Sequence, residues 1–233
     1  VYHVAQNKTV FMQTGEPKDQ YLTAISWDPS EKHVYIGVLN RDQNHLKLNQ
    51  YDVQTGVLIK TLFEEKNDRW VEPEHPLWFL KKTPTRFIWQ SERDGFNHLY
   101  LYDVSGKLIT QLTKGEWEVT EILGADASEE NLFFMRTQTR GVERHACMVN
   151  LKTGKITQLT TESGTHICQV NASGQYLFDQ YNSITVPSYR KIIEVGKKRE
   201  FNSATSDNPL VEYALPQAEL LVIKAADGNK DLN

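Results

Sequence analysis

A short segment that occurs three times in the 233 residues constrains the fold more than any other feature. Each copy has an aspartate or asparagine, then a glycine within a few residues, then a short strand-like stretch that ends in leucine. The copies are Tyr51–Leu62, Tyr102–Leu112 and Val149–Leu159. Their glycines, at positions 56, 106 and 154, are 50 and 48 residues apart. This period is typical of β-propeller blades and is too long for most helical or leucine-rich repeats.

Each repeat predicts four short strands in a meander. Gly tolerates positive φ and a short polar side chain bonds its own backbone, so Thr55-Gly56, Ser105-Gly106 and Thr153-Gly154 are predicted to close hairpins. Upstream of each closing turn, a second pair of apolar stretches flanks a polar loop. These loops are Asn40–Asn44, Arg93–Asn97 and Thr139–Gly141. No long segment has a 3.6-residue apolar period, which predicts little helix.

A fourth unit is predicted between Ile167 and Gly196. It is less regular, because Pro187 interrupts its central hairpin and Lys197-Lys198-Arg199 weakens its closing strand. The fold class is therefore all-β: a partial β-propeller of about four four-stranded antiparallel blades that forms an incomplete ring. Residues 1–215 are assigned to the propeller segment, and residues 216–233 to a strand that leaves it. Both ends are expected to be cut from a longer chain.

Composition excludes several classes of function. Hydrophobic residues make up 39% of the chain and aromatic residues 10%, which is enough to fill a core. The net charge of −4 lacks the excess of basic residues that is typical of nucleic-acid-binding proteins. The longest apolar run, near Leu220–Ala226, is too short to span a membrane. No metal or cofactor motif is present: the lone histidines His3, His33, His45 and His166 have no partner at metal-ligand spacing.

Two longer strings point to a family. Ser91–Tyr100 has the sequence SERDGFNHLY, and Gln111–Val119 has QLTKGEWEV; Ile25-Ser26-Trp27 precedes them and Leu221–Gly228 follows them. In this order they resemble the N-terminal propeller of the dipeptidyl peptidase IV branch of the prolyl oligopeptidase family, over nearly the whole chain. The resemblance implies the C-terminal half of an eight-bladed ring, with the strand beyond residue 216 leading to an α/β-hydrolase domain.

The resemblance also implies a peptidase that releases N-terminal dipeptides with Pro or Ala in second position by Ser-Asp-His acyl transfer. This chain supplies no catalytic residue, because it contains no Gly-x-Ser-x-Gly nucleophile elbow. The family's amine-binding pair of adjacent glutamates is not matched either. Glu64-Glu65 and Glu129-Glu130 are adjacent, but their surroundings differ, and we expect both pairs to be solvated charges in polar turns.

Trp70–Pro76 is the candidate substrate-contacting segment, because it occupies the place where the family runs a loop toward its cavity. Its candidate pocket residues are Trp70, Glu72, Glu74 and His75. The segment is shorter than the mammalian loop and has no Arg after Trp70, so an identical contact is not implied. The alternative is a surface loop that Trp70 anchors against the neighbouring blade.

Other side chains receive structural expectations. Arg93, Asp94 and His98 surround a Gly-centred hairpin and should pair with one another or cap the turn. Four tryptophans should pack between blades; these are Trp27, Trp78, Trp89 and Trp117. Cys147 and Cys168 have no redox or zinc spacing, which favours two buried free thiols and leaves a disulfide as the alternative.

The functional hypothesis is a non-catalytic propeller segment of a dipeptidyl peptidase IV-like serine peptidase, which limits access to the active site. Its expected partners are its own α/β-hydrolase domain and a peptide substrate; a second copy, as a homodimer, is a further candidate. Family membership alone predicts a periplasmic or otherwise exported location. The alternatives are a stand-alone propeller that acts as a protein-interaction scaffold, and a propeller lyase or glycosidase, which would need two positioned carboxylates.

Overall fold

The computed structural model describes residues 1–138, 141–197, 199–205, 207, 209, 211–214, 216, 219, 221–229 and 231–232. The chain divides into two compact units, Val1–Glu116 and a second unit that begins at Trp117. The described residues contain no α-helix, and a 3₁₀ turn is formed by Val4–Gln6. The prediction of an all-β chain is confirmed.

The first unit holds two four-stranded antiparallel sheets and a short hairpin. The hairpin consists of β1 (Tyr2–His3) and β2 (Lys8–Thr9). The first blade contains β3 (Tyr21–Trp27), β4 (His33–Leu39), β5 (His45–Asp52) and β6 (Leu58–Lys66), paired in chain order. The second blade contains β7 (Trp78–Phe79), β8 (Arg86–Ser91), β9 (His98–Asp103) and β10 (Leu108–Gln111).

The second unit repeats this architecture. Its third blade contains β11 (Val119–Ala125), β12 (Asn131–Gln138), β13 (Glu143–Asn150) and β14 (Ile156–Gln158). Its fourth blade contains β15 (Thr165–Val170), β16 (Tyr176–Asn182), β17 (Tyr189–Glu194) and β18 (Arg199–Thr205). A single parallel pair, Arg144 with Thr165, joins the two blades into one sheet. A last hairpin consists of β19 (Ile223–Lys224) and β20 (Asp231–Leu232).

The three predicted closing turns are confirmed, and one polar side chain organises each of them. Asp52, Asp103 and Asn150 each end a third strand, and each accepts hydrogen bonds from two backbone N–H groups of the turn that follows. The glycines follow with φ of 74°, 98° and 70°. The repeated sequence therefore encodes the turn locally, because the side chain replaces a backbone partner and glycine supplies the left-handed conformation.

The fourth blade is more regular than its sequence predicts. β18 pairs with β17 at six positions, from Tyr189↔Thr205 to Glu194↔Arg199, where the sequence indicated a weakened closing strand. Charged side chains do not prevent this pairing, because the ladder uses backbone groups and charge is tolerated on a sheet edge. Pro187 lies in the connection between β16 and β17, outside both strands. Of the third predicted hairpin loop, Thr139 and Arg140 lie outside the described residues.

The core of the first unit lies between its two blades, where Leu46 and Leu48 of β5 pack with Phe87 and Trp89 of β8. The prediction of inter-blade packing is confirmed for Trp89, which is 1% exposed. It is wrong for Trp27, which is 47% exposed. Side chains alternate along a strand, and Ser26 is the residue that faces inward there, so Trp27 faces solvent.

The remaining two tryptophans are only partly buried. Trp78 belongs to β7, and Trp117 stacks within its own blade on Phe134, with ring centroids 6.1 Å apart. The Arg136 guanidinium lies 4.9 Å from the Trp117 ring centre. The ring contact of Trp117 with Phe134 is thus within one blade, and inter-blade packing of Trp78 stays a prediction.

A second repeated device is a buried histidine–threonine pair. In the second blade, His98 Nδ1 is 3.1 Å from Thr113 Oγ1, which also accepts the Leu99 N–H. In the third blade, His145 Nδ1 is 3.1 Å from Thr160 Oγ1, which accepts the Ala146 N–H. Each pair ties a residue near the start of a third strand to the second residue after the fourth strand. The threonine hydroxyl satisfies a buried backbone donor, and the histidine bonds that hydroxyl.

The ends of the chain form hairpins. Val1 and Met12 pack against a cluster on the first blade, and Gln13 N–H donates to the carbonyl of Gly56. At the other end, Asp227 and Gly228 lie in the turn between β19 and β20. The predicted boundary at 215/216 falls among residues 215, 217, 218 and 220, which lie outside the described part.

Candidate functional site

A cavity of about 430 Å³ opens between the two blades of the first unit. It is bounded by the end of β6, by the connection that leads to the second blade, and by the hairpin between β8 and β9. Its lining residues are Glu64–Asn67, Arg69–Pro73, Trp89–Arg93 and Gly95. We call it the blade 1/2 cavity. It is the principal candidate site, because it combines exposed aromatic surface with several charged side chains.

Two of the four predicted pocket residues line this cavity. Trp70 and Glu72 do so, whereas Glu74 and His75 are not among its lining residues. Trp70 is 53% exposed, so it is not buried as an anchor against the neighbouring blade. The next residue supplies the anchor: Val71 N–H donates to the carbonyl of Gln43 at 2.7 Å, and Val71 packs against the core between the blades. Trp70 therefore presents much of its ring to the cavity.

The adjacent glutamates Glu64 and Glu65 lie in strand β6, not in a polar turn, so the expectation of two solvated charges is wrong. The Glu65 side chain is only 10% exposed and forms an ion pair with Arg93. It also accepts the Trp89 indole N–H at 2.6 Å and the Ser91 hydroxyl at 2.7 Å. A strand alternates its faces, so Glu65 points toward the second blade and Glu64 points away.

Glu64 has a different environment. It is 42% exposed and lies 2.6 Å from His45 Nε2. Its hydrogen bond with His45 holds its pKa below the usual value. The other adjacent pair, Glu129-Glu130, does lie in a turn, as predicted.

The hairpin residues Arg93, Asp94 and His98 each have partners elsewhere in the first unit. Arg93 donates to Tyr102 OH at 2.6 Å and pairs with Glu65. Gln111 donates to Asp94, and His98 belongs to the histidine–threonine pair. Burial acts to lower the pKa of Arg93, but the neighbouring Glu65 carboxylate and the Tyr102 hydroxyl outweigh it and raise that pKa.

The second unit has a cavity at the same topological position, of about 540 Å³. It lies between the start of β13, the connection from β14 to β15, and the hairpin after β16. Its lining includes Glu143, Glu162 and Tyr181. Because the connection after a fourth strand and the hairpin of the next blade emerge on the same side, the repeat creates such a cavity at each of these two blade junctions.

Beside this second cavity, the fourth blade buries a network of charges. The side chains of His166 and Asp179 are 0% exposed, and His166 Nδ1 lies 2.8 Å from Asp179 Oδ1. Lys191 is 1% exposed and pairs with Glu162 and Glu200. Its pKa is raised, because these two carboxylates outweigh the opposing effect of burial. Because its charges pair with one another, we assign the network to stability.

The two cysteines are free and buried, in agreement with the expectation of free thiols. Burial raises the pKa of Cys147 to about 11, and the Cys168 thiol donates to Asp179 at 3.4 Å. Both are therefore protonated at neutral pH. Within the described ranges, no three His, Cys, Asp or Glu side chains are grouped as a metal site would require.

The pKa values of His166 and His145 are shifted in opposite directions although their ring centroids are 4.9 Å apart. His166 Nε2 donates to the carbonyl of Glu162 and its Nδ1 faces a carboxylate, so both nitrogens have an acceptor when the ring is protonated. Burial opposes this charge, but Asp179 outweighs it and raises the pKa of His166. For His145, burial and the neighbouring His166 charge lower the pKa.

These shifts predict how stability depends on pH. The lowered pKa of His145 means that stability is lost as pH falls through about 6.5, because the unfolded chain binds the proton more readily. The raised pKa of His166 has the opposite effect: its contribution to stability is present below about pH 6.5 and is lost as pH rises through the folded-state pKa.

We expect His145→Asn to lose less stability than wild type as the pH falls from neutral to acidic values. Denaturant midpoints between about pH 5 and about pH 8 measure it, and an unchanged acid slope would contradict the assignment.

Solved structures match the whole fold. A putative dipeptidyl aminopeptidase IV from Bacteroides ovatus superposes with a TM-score of 0.91 at 36% identity, over 99% of this chain and 35% of that chain. Dipeptidyl peptidase 4 of Porphyromonas gingivalis superposes with a TM-score of 0.82 at 26% identity, over 97% of this chain and 32% of that chain. Together with the four-stranded sheets, these matches confirm the predicted partial β-propeller.

Sequence comparison gives the family. Dipeptidyl peptidase 4 of Arthroderma otae is 28% identical over 237 residues, which cover 96% of this chain and 30% of that relative. A probable dipeptidyl peptidase 4 of Aspergillus fumigatus is 29% identical over 214 residues. The profile of the dipeptidyl peptidase IV (DPP IV) N-terminal region matches residues 1–188. The chain belongs to this family, and it spans about a third of the length of the curated relatives that it matches.

Sequence reasoning found Trp70 and Glu72 but missed Glu65, Trp89 and Arg93 as residues of the same cavity. It considered Glu65 and Arg93 separately, as turn residues. One available signal was the absence of Gly, Pro, Asn and Asp from residues 58 to 66, which allows the closing strand to extend to Glu65. The pairing across blades had no local signal, because 28 residues separate its two members.

Proposed function

We propose that this chain forms part of the propeller of a serine dipeptidyl peptidase of the dipeptidyl peptidase IV type. In this proposal the whole protein releases N-terminal dipeptides with Pro or Ala in second position, and the propeller limits access to an active site on an α/β-hydrolase domain. The observation that carries the proposal is the match to a putative dipeptidyl aminopeptidase IV over 99% of this chain. The chain itself supplies no nucleophile elbow, so the chemistry belongs to another part of the protein.

The scaffold alternative has less support. The relatives and structures named above are described as dipeptidyl peptidases or aminopeptidases, and none of these descriptions is of an interaction module. Export to the periplasm, a homodimer and the dipeptide preference belong to the proposal and rest on family membership.

An assay on two proteins tests the proposal. The complete gene product should hydrolyse Gly-Pro and Ala-Pro chromogenic substrates and be inactivated by a serine-directed reagent. The 233-residue chain alone should do neither. A complete gene product with no dipeptidyl peptidase activity would favour the alternative of a protein-interaction scaffold. Turnover by the isolated chain, retained after repurification, would contradict the assignment of chemistry to another domain.

Within this proposal, Trp70 is expected to contact the peptide substrate. Trp70→Ala in the complete gene product should raise KM about 5- to 30-fold, consistent with the loss of about 1–2 kcal/mol of contact. Folding should be little affected, because the ring is half exposed. The matched control is Trp27→Ala, which removes an equally exposed tryptophan that does not line the cavity. Equal KM values for wild type and Trp70→Ala would mean that the segment is a surface connection and does not contact the substrate.

His75→Ala tests the other half of the predicted segment. His75 does not line the blade 1/2 cavity, so a rise in KM for this variant would require a second contact surface on the same segment. Pro73 and Pro76 restrict the backbone on either side of it, which lowers the entropy cost of holding such a surface. The measurement is the same KM series.

A further inference from the structure

The Glu65–Arg93 ion pair joins the two walls of the blade 1/2 cavity. Glu65 stands near the end of β6, two residues before the connection that carries Trp70. Arg93 stands in the hairpin of the second blade, on the opposite wall. The pair is therefore a direct link from the segment that presents Trp70 to the surface that faces it.

Both charges are held in a fixed geometry. Glu65 binds Arg93, the Trp89 indole and the Ser91 hydroxyl, so both of its oxygens are engaged. The Arg93 guanidinium binds Glu65, Ser91 at 3.1 Å and Tyr102 at 2.6 Å, and it lies 4.3 Å from the Tyr100 ring centre. A planar guanidinium with partners on its edge and an aromatic ring against its face has little freedom to rotate.

The connection has a second fixed point beyond Trp70. Asn67 N–H donates to the carbonyl of Asn44 at 3.0 Å, and Val71 N–H donates to the carbonyl of Gln43 at 2.7 Å. These bonds hold the connection on the first blade, and Val71 also packs against the core between the blades. Glu65 adds polar contacts with the second blade, because it binds three side chains there.

We propose that Glu65 and Arg93 are positioning residues for the substrate: their ion pair sets the separation of Trp70 from the second-blade wall of the cavity. The inference rests on the proposed function, in which the cavity receives part of the peptide. A small change in this separation costs binding without touching the reacting atoms, which belong to another part of the protein. The pair should therefore act on KM and not on kcat.

The test uses Arg93→Met, Arg93→Lys and Glu65→Gln in the complete gene product. Arg93→Met and Glu65→Gln should each raise KM about tenfold and leave kcat within about twofold. Arg93→Lys should fall between these variants and wild type, since lysine keeps the charge but lacks the planar fork. The double variant Glu65→Gln/Arg93→Met should cost little more than either single change, because the two residues act as one unit.

The matched control is Lys191→Met, which removes a buried cation with two carboxylate partners in the fourth blade. It should lower thermal stability and leave KM unchanged. A rise in KM for this variant as large as that for Arg93→Met would assign the effect to general destabilisation and overturn the proposal. Unchanged KM in all three pair variants would also overturn it.

A readout that needs no activity separates this inference from the proposed function. Arg69 is exposed in the connection, so trypsin cleavage after Arg69 reports how firmly the segment is held. Cleavage should be several-fold faster in Glu65→Gln and Arg93→Met than in wild type or Lys191→Met. Equal cleavage rates would overturn the positioning role. If wild type has no dipeptidyl peptidase activity but trypsin cleavage of the pair variants accelerates as expected, the proposed function fails and the pair still positions the segment.

Discussion

Replacing Asp179 by asparagine should lower the free energy of unfolding of the second unit by about 3–5 kcal/mol. Asp179 and His166 are both fully buried, and the His166 imidazolium has no other carboxylate at hydrogen-bonding distance among the described residues. The amide keeps the volume of the side chain but removes its charge. The imidazolium must then be desolvated without a counterion or lose its proton, and either change costs the folded state.

The pH dependence gives this prediction a second signature. Because Asp179 raises the pKa of His166, Asp179→Asn should remove the stability that wild type has below about 6.5 and loses as pH rises. The matched control is Glu64→Gln, which makes the same chemical change in the exposed His45–Glu64 pair. Exposed pairs contribute about 0–1 kcal/mol, so this control should be nearly neutral. Denaturant unfolding at two pH values measures both, and equal losses in the two variants would refute the buried-charge explanation.

Replacing Gly106 by alanine should cost at least about 3 kcal/mol, whereas the same change at Gly154 should cost about 1–2 kcal/mol. Both glycines occupy the same position of the repeat with positive φ, 98° and 70°, so both variants carry backbone strain. They differ in their surroundings. A Cβ on Gly106 would lie 2.1 Å from the carbonyl oxygen of Leu62, and one on Gly154 would meet no atom within 4 Å.

The clash at Gly106 is with backbone of the first blade, so relief requires the two blades to move apart. Hydrogen exchange of second-blade peptides should accelerate strongly in Gly106→Ala, while third-blade peptides in Gly154→Ala should change only modestly. Because the two variants share the φ penalty, the difference between them isolates the packing of one blade on the next. Similar exchange in the two variants would mean that the close approach of Gly106 to Leu62 has no energetic weight.

The blades and their closing turns could be read from the sequence, because their determinants are local. Asp52, Asp103 and Asn150 fold the turns that follow them through bonds to backbone two to four residues away. The fourth closing strand is stronger than its sequence predicts, because the backbone ladder of β17 and β18 forms in spite of the charges at Lys197 and Arg199. The side chains that face across blades were not predictable in the same way.

By itself, then, the sequence determined the repeat, the all-β architecture, the positions of the turns and the segment that carries Trp70. These depend on contacts within a few residues and on the spacing of the glycines. Only the tertiary structure decided that Glu65 meets Arg93, that Trp27 faces solvent while Trp89 is buried, and that His166 meets Asp179. The physical reason is that each of these outcomes depends on which face of a strand another strand or blade covers. The residues adjacent in sequence to a side chain do not indicate which distant residue it will contact.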